Sequence, residues 1–236
     1  MSEDPDLLID ATLVPDPDAD EEMGASEVAA IADEDVQGSR FRAIRRGVEA
    51  IDMEGVRGGA LELGCIFQPA LGTRFVYARV VFRIVAPVGL VLLSVQPHEV
   101  RENEPVRFSF DAKGKLGLKY GLANAGAELG RKEEFSLYHC AVQGSGEGFA
   151  EAIWDFRENP VRRDGIGHEQ VLALSFAQTG HIVARLEVNA RLESAGLRRL
   201  RDLVLGQRHA EHGYQIEFNI PEAPPPAGLA RFLPFL

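Results

Sequence analysis

Apolar and polar residues alternate with a period of two along most of the chain. Leu61, Leu63, Cys65 and Phe67 share one side of a segment, and Val76, Ala78, Val80, Phe82 and Ile84 share one side of the next, opposite Arg79 and Arg83. Val106, Phe108 and Phe110 alternate with Arg107, Ser109 and Asp111. Ala150, Ala152, Trp154 and Phe156 alternate with Glu151, Ile153 and Asp155. From Ile182 to Leu192 one face is small or aliphatic, while the other carries Val183, Arg185, Glu187, Asn189 and Arg191. Tyr214, Ile216, Phe218 and Ile220 alternate in the same way with Gln215, Glu217 and Asn219. Successive strand side chains point to opposite faces, so this pattern predicts strands with one buried and one wet face. Leu90 to Val95 is more continuously apolar, as in a central strand. No strand–helix–strand rhythm appears, which argues against a parallel doubly wound sheet. The prediction is a mostly all-β fold: an antiparallel β-sandwich of about eight to ten strands, with one or two short helices and disordered termini.

A few segments depart from alternation. Phe41, Ile44, Val48 and Ile51 recur at helical spacing between Arg40 and Val56, despite Gly47. Leu197, Leu200 and Leu203-Val204 form a stripe that predicts an amphipathic helix over Leu197–Leu205, with Gly206 as its cap. Ser26 is placed to cap a short helix over Glu27–Ile31. Leu7 to Val14 is apolar enough for a strand, pairing with a sheet edge of this chain or of a partner.

Charge divides the chain. Thirteen of its thirty-six acids lie in residues 1–36, which contain no Lys or Arg; the other twenty-three face twenty-five Lys and Arg. The net charge of −11 therefore belongs to the N-terminal region. The near-neutral remainder lacks the basic footprint of a nucleic-acid binder. The predicted organisation is an acidic, largely disordered tail at 1–24, a β-sandwich domain at 25–220, and a proline-rich linker with an apolar tip at 221–236. No basic-then-apolar leader is visible and no apolar run approaches about 20 residues, so the expected location is cytoplasmic.

Motifs for chemistry are sparse. Asp16, Asp18 and Asp20 begin like a calcium loop, but Glu21 stands where glycine is required. His209 and His212 are three apart, a spacing that zinc proteases do not use. Gln143–Gly148 is glycine-rich yet lacks the lysine and helix of a phosphate cradle. Cys65 and Cys140 read as buried thiols, not as metal ligands or a disulfide framework. No catalytic, cofactor or metal site is expected.

Three stretches remain as interaction candidates. In the loop Asp155–His168, Arg157, Arg162 and Arg163 stand among Asp155, Glu158 and Asp164. Such a set clamps a carboxylate or phosphate, or pairs internally. Lys113–Gly130 alternates Leu116, Leu118, Tyr120 and Leu122 with Gly117, Lys119 and Gly121, around a turn near Asn124–Gly126. This is the pattern of a membrane-inserting hairpin and also of an ordinary one packed on a core; its first arm is barely the ~9–11 residues that span a bilayer. Phe232, Leu233 and Phe235 make the end of the chain apolar.

Together these favour a non-enzymatic interaction or assembly module, placed in a larger bacterial assembly, with a protein partner or a homo-oligomer and without nucleic acid. Membrane contact is the less favoured alternative, as an oligomerising β-protein using Lys113–Gly130. An enzyme whose site assembles from distant strands is the third reading.

Overall fold

The computed structural model describes residues 6–15, 38–53, 56–110, 116–119, 133–194, 200–205 and 213–222. They form thirteen strands, numbered β1 to β13 in chain order, and no helix among the described residues. Two antiparallel sheets pack face to face as a β-sandwich. The first runs β5 (Leu92–Gln96), β10 (Glu169–Phe176), β3 (Val56–Gln68), β2 (Arg40–Met53), β1 (Leu7–Pro15). The second runs β12 (Leu200–Leu205), β11 (Gly180–Ser194), β4 (Thr73–Ala86), β9 (Glu151–Arg157), β8 (Glu133–Ser145), β6 (Glu99–Phe110), β7 (Leu116–Lys119). Strand β13 (Tyr214–Ile220) shares an edge of β11 with β12.

Strand β1 joins the sheets. Its first part pairs with β2, and Leu13–Pro15 pair with β12. The expected strand at Leu7–Val14 therefore closes an edge of its own chain, with Ile9, Ala11 and Leu13 buried.

The alternation translates directly into the core. Leu61, Leu63, Cys65 and Phe67 are buried, as are Ile182, Ala184, Leu186, Val188, Ala190 and Leu192. Two aromatic groups bind the layers. Phe67 of β3 lies 5.3 Å from Phe41, 5.8 Å from Phe75 and 5.6 Å from Phe156, so it touches both sheets. Phe176 of β10 meets Phe218 at 5.7 Å and Phe82 at 6.2 Å, within the range of favourable ring contacts. The layers approach closely at Gly59, where a Cβ would sit 2.1 Å from the Ile220 side chain. On the wet face, Arg79 opposes Asp155 and Arg83 opposes Glu151 across β4 and β9 as ion pairs.

Several expectations are corrected. Arg40–Val56 is not helical: β2 pairs with β1 and β3. A bulge between Arg45 and Gly47 shifts its alternation by one residue, so Phe41 and Val48, an odd seven positions apart, both reach the core, while Ile44 lies on the other face. Of the helix expected over Leu197–Leu205, the described part, Leu200–Leu205, is instead strand β12, filling the gap between β1 and β11 and satisfying backbone groups of both. Phe75, not Val76, faces the core, because the β4–β11 register shifts there. With β1, β2 and β12 in the ladders, the count rises above eight to ten. The helix expected at Glu27–Ile31 lies outside the described residues.

Candidate functional site

The loop from Glu158 to His168 is built around Asn159. Its buried side chain accepts hydrogen bonds from the backbone N–H of Val161 (2.9 Å) and Arg162 (3.2 Å), while its carbonyl accepts from Arg163 N–H (2.9 Å). An Asn side chain that mimics the backbone in this way fixes a tight turn. The turn carries Arg163 at φ 54°, in the left-handed region that a non-glycine residue enters only when its surroundings impose it. Glu158 closes the loop by accepting from Gly165 N–H at 2.8 Å, and Ile166 N–H donates to the Phe75 carbonyl at 2.9 Å.

Between this loop, the start of β4 and the roots of β6 and β8 lies a cleft of about 470 Å³. Val142, Phe156 and Phe75 give it apolar lining, and Arg74, Glu102, Arg157, Arg162, Asp164 and His168 supply the charged and titratable lining.

Glu102 enters through an irregularity. Arg101 pairs with Cys140, but the next paired residue of β6, Pro105, faces Tyr138, so β6 carries more residues than β8 over this stretch. The Glu102 carboxylate accepts from Asn159 Nδ2 and from Arg162 at 2.5 Å, tying the β6 root to the loop. Arg162 also pairs with Asp164 at 3.2 Å.

A second knot lies at the foot of the loop. Glu193 of β11 accepts from Arg74 at 2.8 Å and from Arg163 at 2.6 Å, and Arg74 also binds Glu158 at 2.6 Å. Glu193 is buried, so Glu193→Ala removes the anion that both guanidiniums share. The expected cost is about 1–3 kcal/mol in urea unfolding. Arg163→Ala, with its side chain 39% exposed, should cost under about 1 kcal/mol. Equal costs would show that Glu193 does not organise the knot.

On the wet face beside the loop, Arg79 grips Asp155 with two hydrogen bonds of 2.7 and 2.9 Å, and Tyr77 Oη donates to the same carboxylate at 2.6 Å. Burial pushes the Asp155 carboxyl up, but the bonds from Arg79 and Tyr77 together hold it below its ordinary value. A depressed carboxylate stabilises the fold above its unfolded pKa of about 4, and that contribution is lost as pH falls through the folded value. Burial first, and Asp155 second, push the Tyr77 phenol up to about 12. The folded state then holds this proton where the unfolded chain releases it, so stability falls as pH rises from about 10 to about 12. Unfolding midpoints across pH should show a weaker acid loss in Asp155→Asn and a weaker alkaline loss in Tyr77→Phe. Slopes identical to wild type would remove this triad from the pH response.

No family model matches the chain, and no curated protein matches it. Among solved structures it is similar to Clostridium perfringens delta-toxin, with 8% identity, a TM-score of 0.33, and coverage of 78% of this chain and 92% of that one. A second is described as a pore forming protein, with 10% identity, a TM-score of 0.32 and coverage of 78% and 94%. A third is the Clostridium perfringens NetB toxin in its membrane inserted form, with 9% identity, a TM-score of 0.34 and coverage of 77% and 90%. Likenesses this faint carry no argument about what the chain does.

The loop thus brings together four residues singled out from sequence. Arg157, Arg162 and Asp164 line the cleft, and Arg163 turns to Glu193. Phe232, Leu233 and Phe235 lie outside the described residues. Glu102, Glu193 and Arg74 escaped the sequence reading because they are 57, 30 and 84 residues from their partners in the loop. No local pattern signals such pairing. Among the described residues no group of three or more His, Cys, Asp or Glu could hold a metal ion. Cys65 is buried, its thiol pushed up to about 12 by burial, and Cys140 is partly buried with Sγ 3.1 Å from the Val142 carbonyl. The arrangement is a fastening: a charged loop that holds the root of β6 against the sandwich.

Proposed function

We propose that the protein is a membrane-active, oligomerising β-protein in which β6, β8 and the residues between them form the membrane-crossing hairpin. The observation that carries this reading is the register of β7, β6 and β8. It aligns Val106 with Leu137, Phe108 with both Phe135 and Leu118, and Phe110 with Leu116. Between these rows it aligns Arg107 with Ser136 and Lys119, and Ser109 with Glu134 and Gly117. Only Glu133, opposite Phe110, interrupts the apolar set. One face apolar and the other polar is what a barrel wall needs, with lipid outside and water within.

Length supports the same reading. Strand β6 has 12 residues and β8 has 13, against the ~9–11 that cross a bilayer. The β8–β9 ladder ends at Val142 and Phe156, while the β8–β6 ladder continues to Glu133 and Phe110. The hairpin therefore outruns the sandwich. The described part of Lys113–Gly130 is β7, which pairs with β6, so the amphipathic unit is larger than that segment alone.

An open sheet leaves backbone groups unpaired in lipid, so a single hairpin does not suffice and several copies must close a barrel. That requirement makes the partner a second copy of this chain. The interaction-module reading has no observation of its own in its favour. The deciding experiment is dye release from liposomes, with the size of the lipid-bound species measured after detergent extraction. Release together with a discrete oligomer is expected; an intact vesicle population with monomeric protein overturns the reading.

A further inference from the structure

The end of the sandwich away from the cleft exposes several apolar side chains beside the His98–Glu147 pair. The turn following β4 leaves Val88 97% exposed, and the turn between β8 and β9 leaves Phe149 69% exposed. These turns are neighbours: Leu92 N–H donates to the Phe149 carbonyl at 2.9 Å, Gly148 N–H to the Leu92 carbonyl at 2.8 Å, and Ile84 N–H to the Ala150 carbonyl at 2.8 Å. Val85 and Val91, flanking the first turn, are exposed as well. Single exposed apolar residues are ordinary, but four gathered on two bonded turns form a patch that calls for a partner.

The chain leaves the fold at this same end. Ile220, the last residue of β13, pairs with Gly180, and three residues along β11 Val183 pairs with Ala86. Three residues of strand rise about 10 Å. Beyond Glu222 the sequence continues as Ala223-Pro224-Pro225-Pro226 and ends in Phe232-Leu233-Pro234-Phe235-Leu236. Ten residues from Ala223 to Phe232 reach up to about 33–36 Å when extended, and three successive prolines favour extension. The segment Phe232–Leu236 carries no charged side chain, and neither do Val85, Val88, Val91 and Phe149.

We propose that Phe232–Leu236 docks on the patch formed by Val85, Val88, Val91 and Phe149 of its own chain. The tether keeps the segment on the same molecule, because an extended reach of about 33–36 Å exceeds the offset of about 10 Å along the strands. The contact covers an apolar surface on the end of the sandwich opposite the cleft, and it stands independently of the membrane reading.

Cross-linking in the full chain tests it. In a Cys140→Ser background, with Cys65 left buried, Phe149→Cys combined with Leu233→Cys should oxidise to an intrachain disulfide within a monomer. Leu71→Cys with Leu233→Cys, whose first site is exposed at the cleft end, should not. A disulfide-linked dimer would assign the patch to a second copy and overturn the proposal; so would equal yields at the two sites. A second measurement does not depend on thiols. Truncation after Ala227 should raise binding of a hydrophobic dye several-fold, and Val88→Ser with Phe149→Ser should return it to the full-length level. Unchanged dye binding on truncation overturns the contact. A full-length protein that already binds phosphatidylcholine vesicles through Phe149 would give the patch to lipid instead.

Discussion

Trp154→Ala lowers the free energy of unfolding by about 3–5 kcal/mol, the cost of emptying a large aromatic site in a packed core. Trp154 is fully buried on β9, between Val80 of β4 and Gly144 of β8. Ala152 and Phe156 share its face and are buried with it. The indole fits because Gly144 has no side chain: a Cβ there would lie 2.9 Å from the indole Cδ1 and Nε1, and 2.3 Å from the Pro97 carbonyl oxygen. Domains of this kind hold a total stability of roughly 5–15 kcal/mol, so one substitution removes a large share of it. Far-UV circular dichroism against urea is the readout, since the variant loses the only tryptophan. Trp154→Phe should cost much less, because the ring is largely kept and the buried indole N–H has no hydrogen-bond partner among the described residues. A midpoint for Trp154→Ala close to wild type would mean that β9 is not the centre of the core.

On the proposed membrane reading, Phe108→Arg should sharply reduce vesicle leakage while leaving the melting temperature nearly unchanged. An arginine on the lipid face of a barrel costs roughly 2–4 kcal/mol near the bilayer midplane. At about 1.4 kcal/mol per factor of ten, leakage should fall at least about tenfold, and further when every copy in the barrel carries the change. Stability should hold because the strand partners of Phe108, Leu118 and Phe135, lie beyond the last β8–β9 pair. Ser109→Arg provides the contrast. It lies in the polar row, so leakage should persist and the ion selectivity of release should change. Equal loss of leakage from both substitutions would show that the two rows are not lipid-facing and water-facing.

Alternation determined most of the fold. A residue period of two admits few structures besides strands with one wet face, and Leu61–Phe67, Ile182–Leu192 and Tyr214–Ile220 follow it without interruption. It failed where bulges reset the phase. Arg45 to Gly47 turned a strand into an apparent helix, and the shift near Val76 exchanged the buried residue for Phe75. Leu200–Leu205 failed for another reason. Its leucine spacing suits a helix, but the open edges of β1 and β11 offered backbone partners that an isolated segment cannot foresee.

By itself the sequence determined the strand-rich class, the burial of Trp154 and the charged character of the loop Asp155–His168, because each depends on residues near one another in the chain. Tertiary structure alone decided that Arg162 meets Glu102 and that Arg74 and Arg163 share Glu193. It also decided that Val106, Phe108 and Phe110 line up with Leu137, Phe135 and Leu116. Those partners are brought together by strand pairing across long loops, and the register of that pairing is set by the sum of core contacts, which no local pattern encodes.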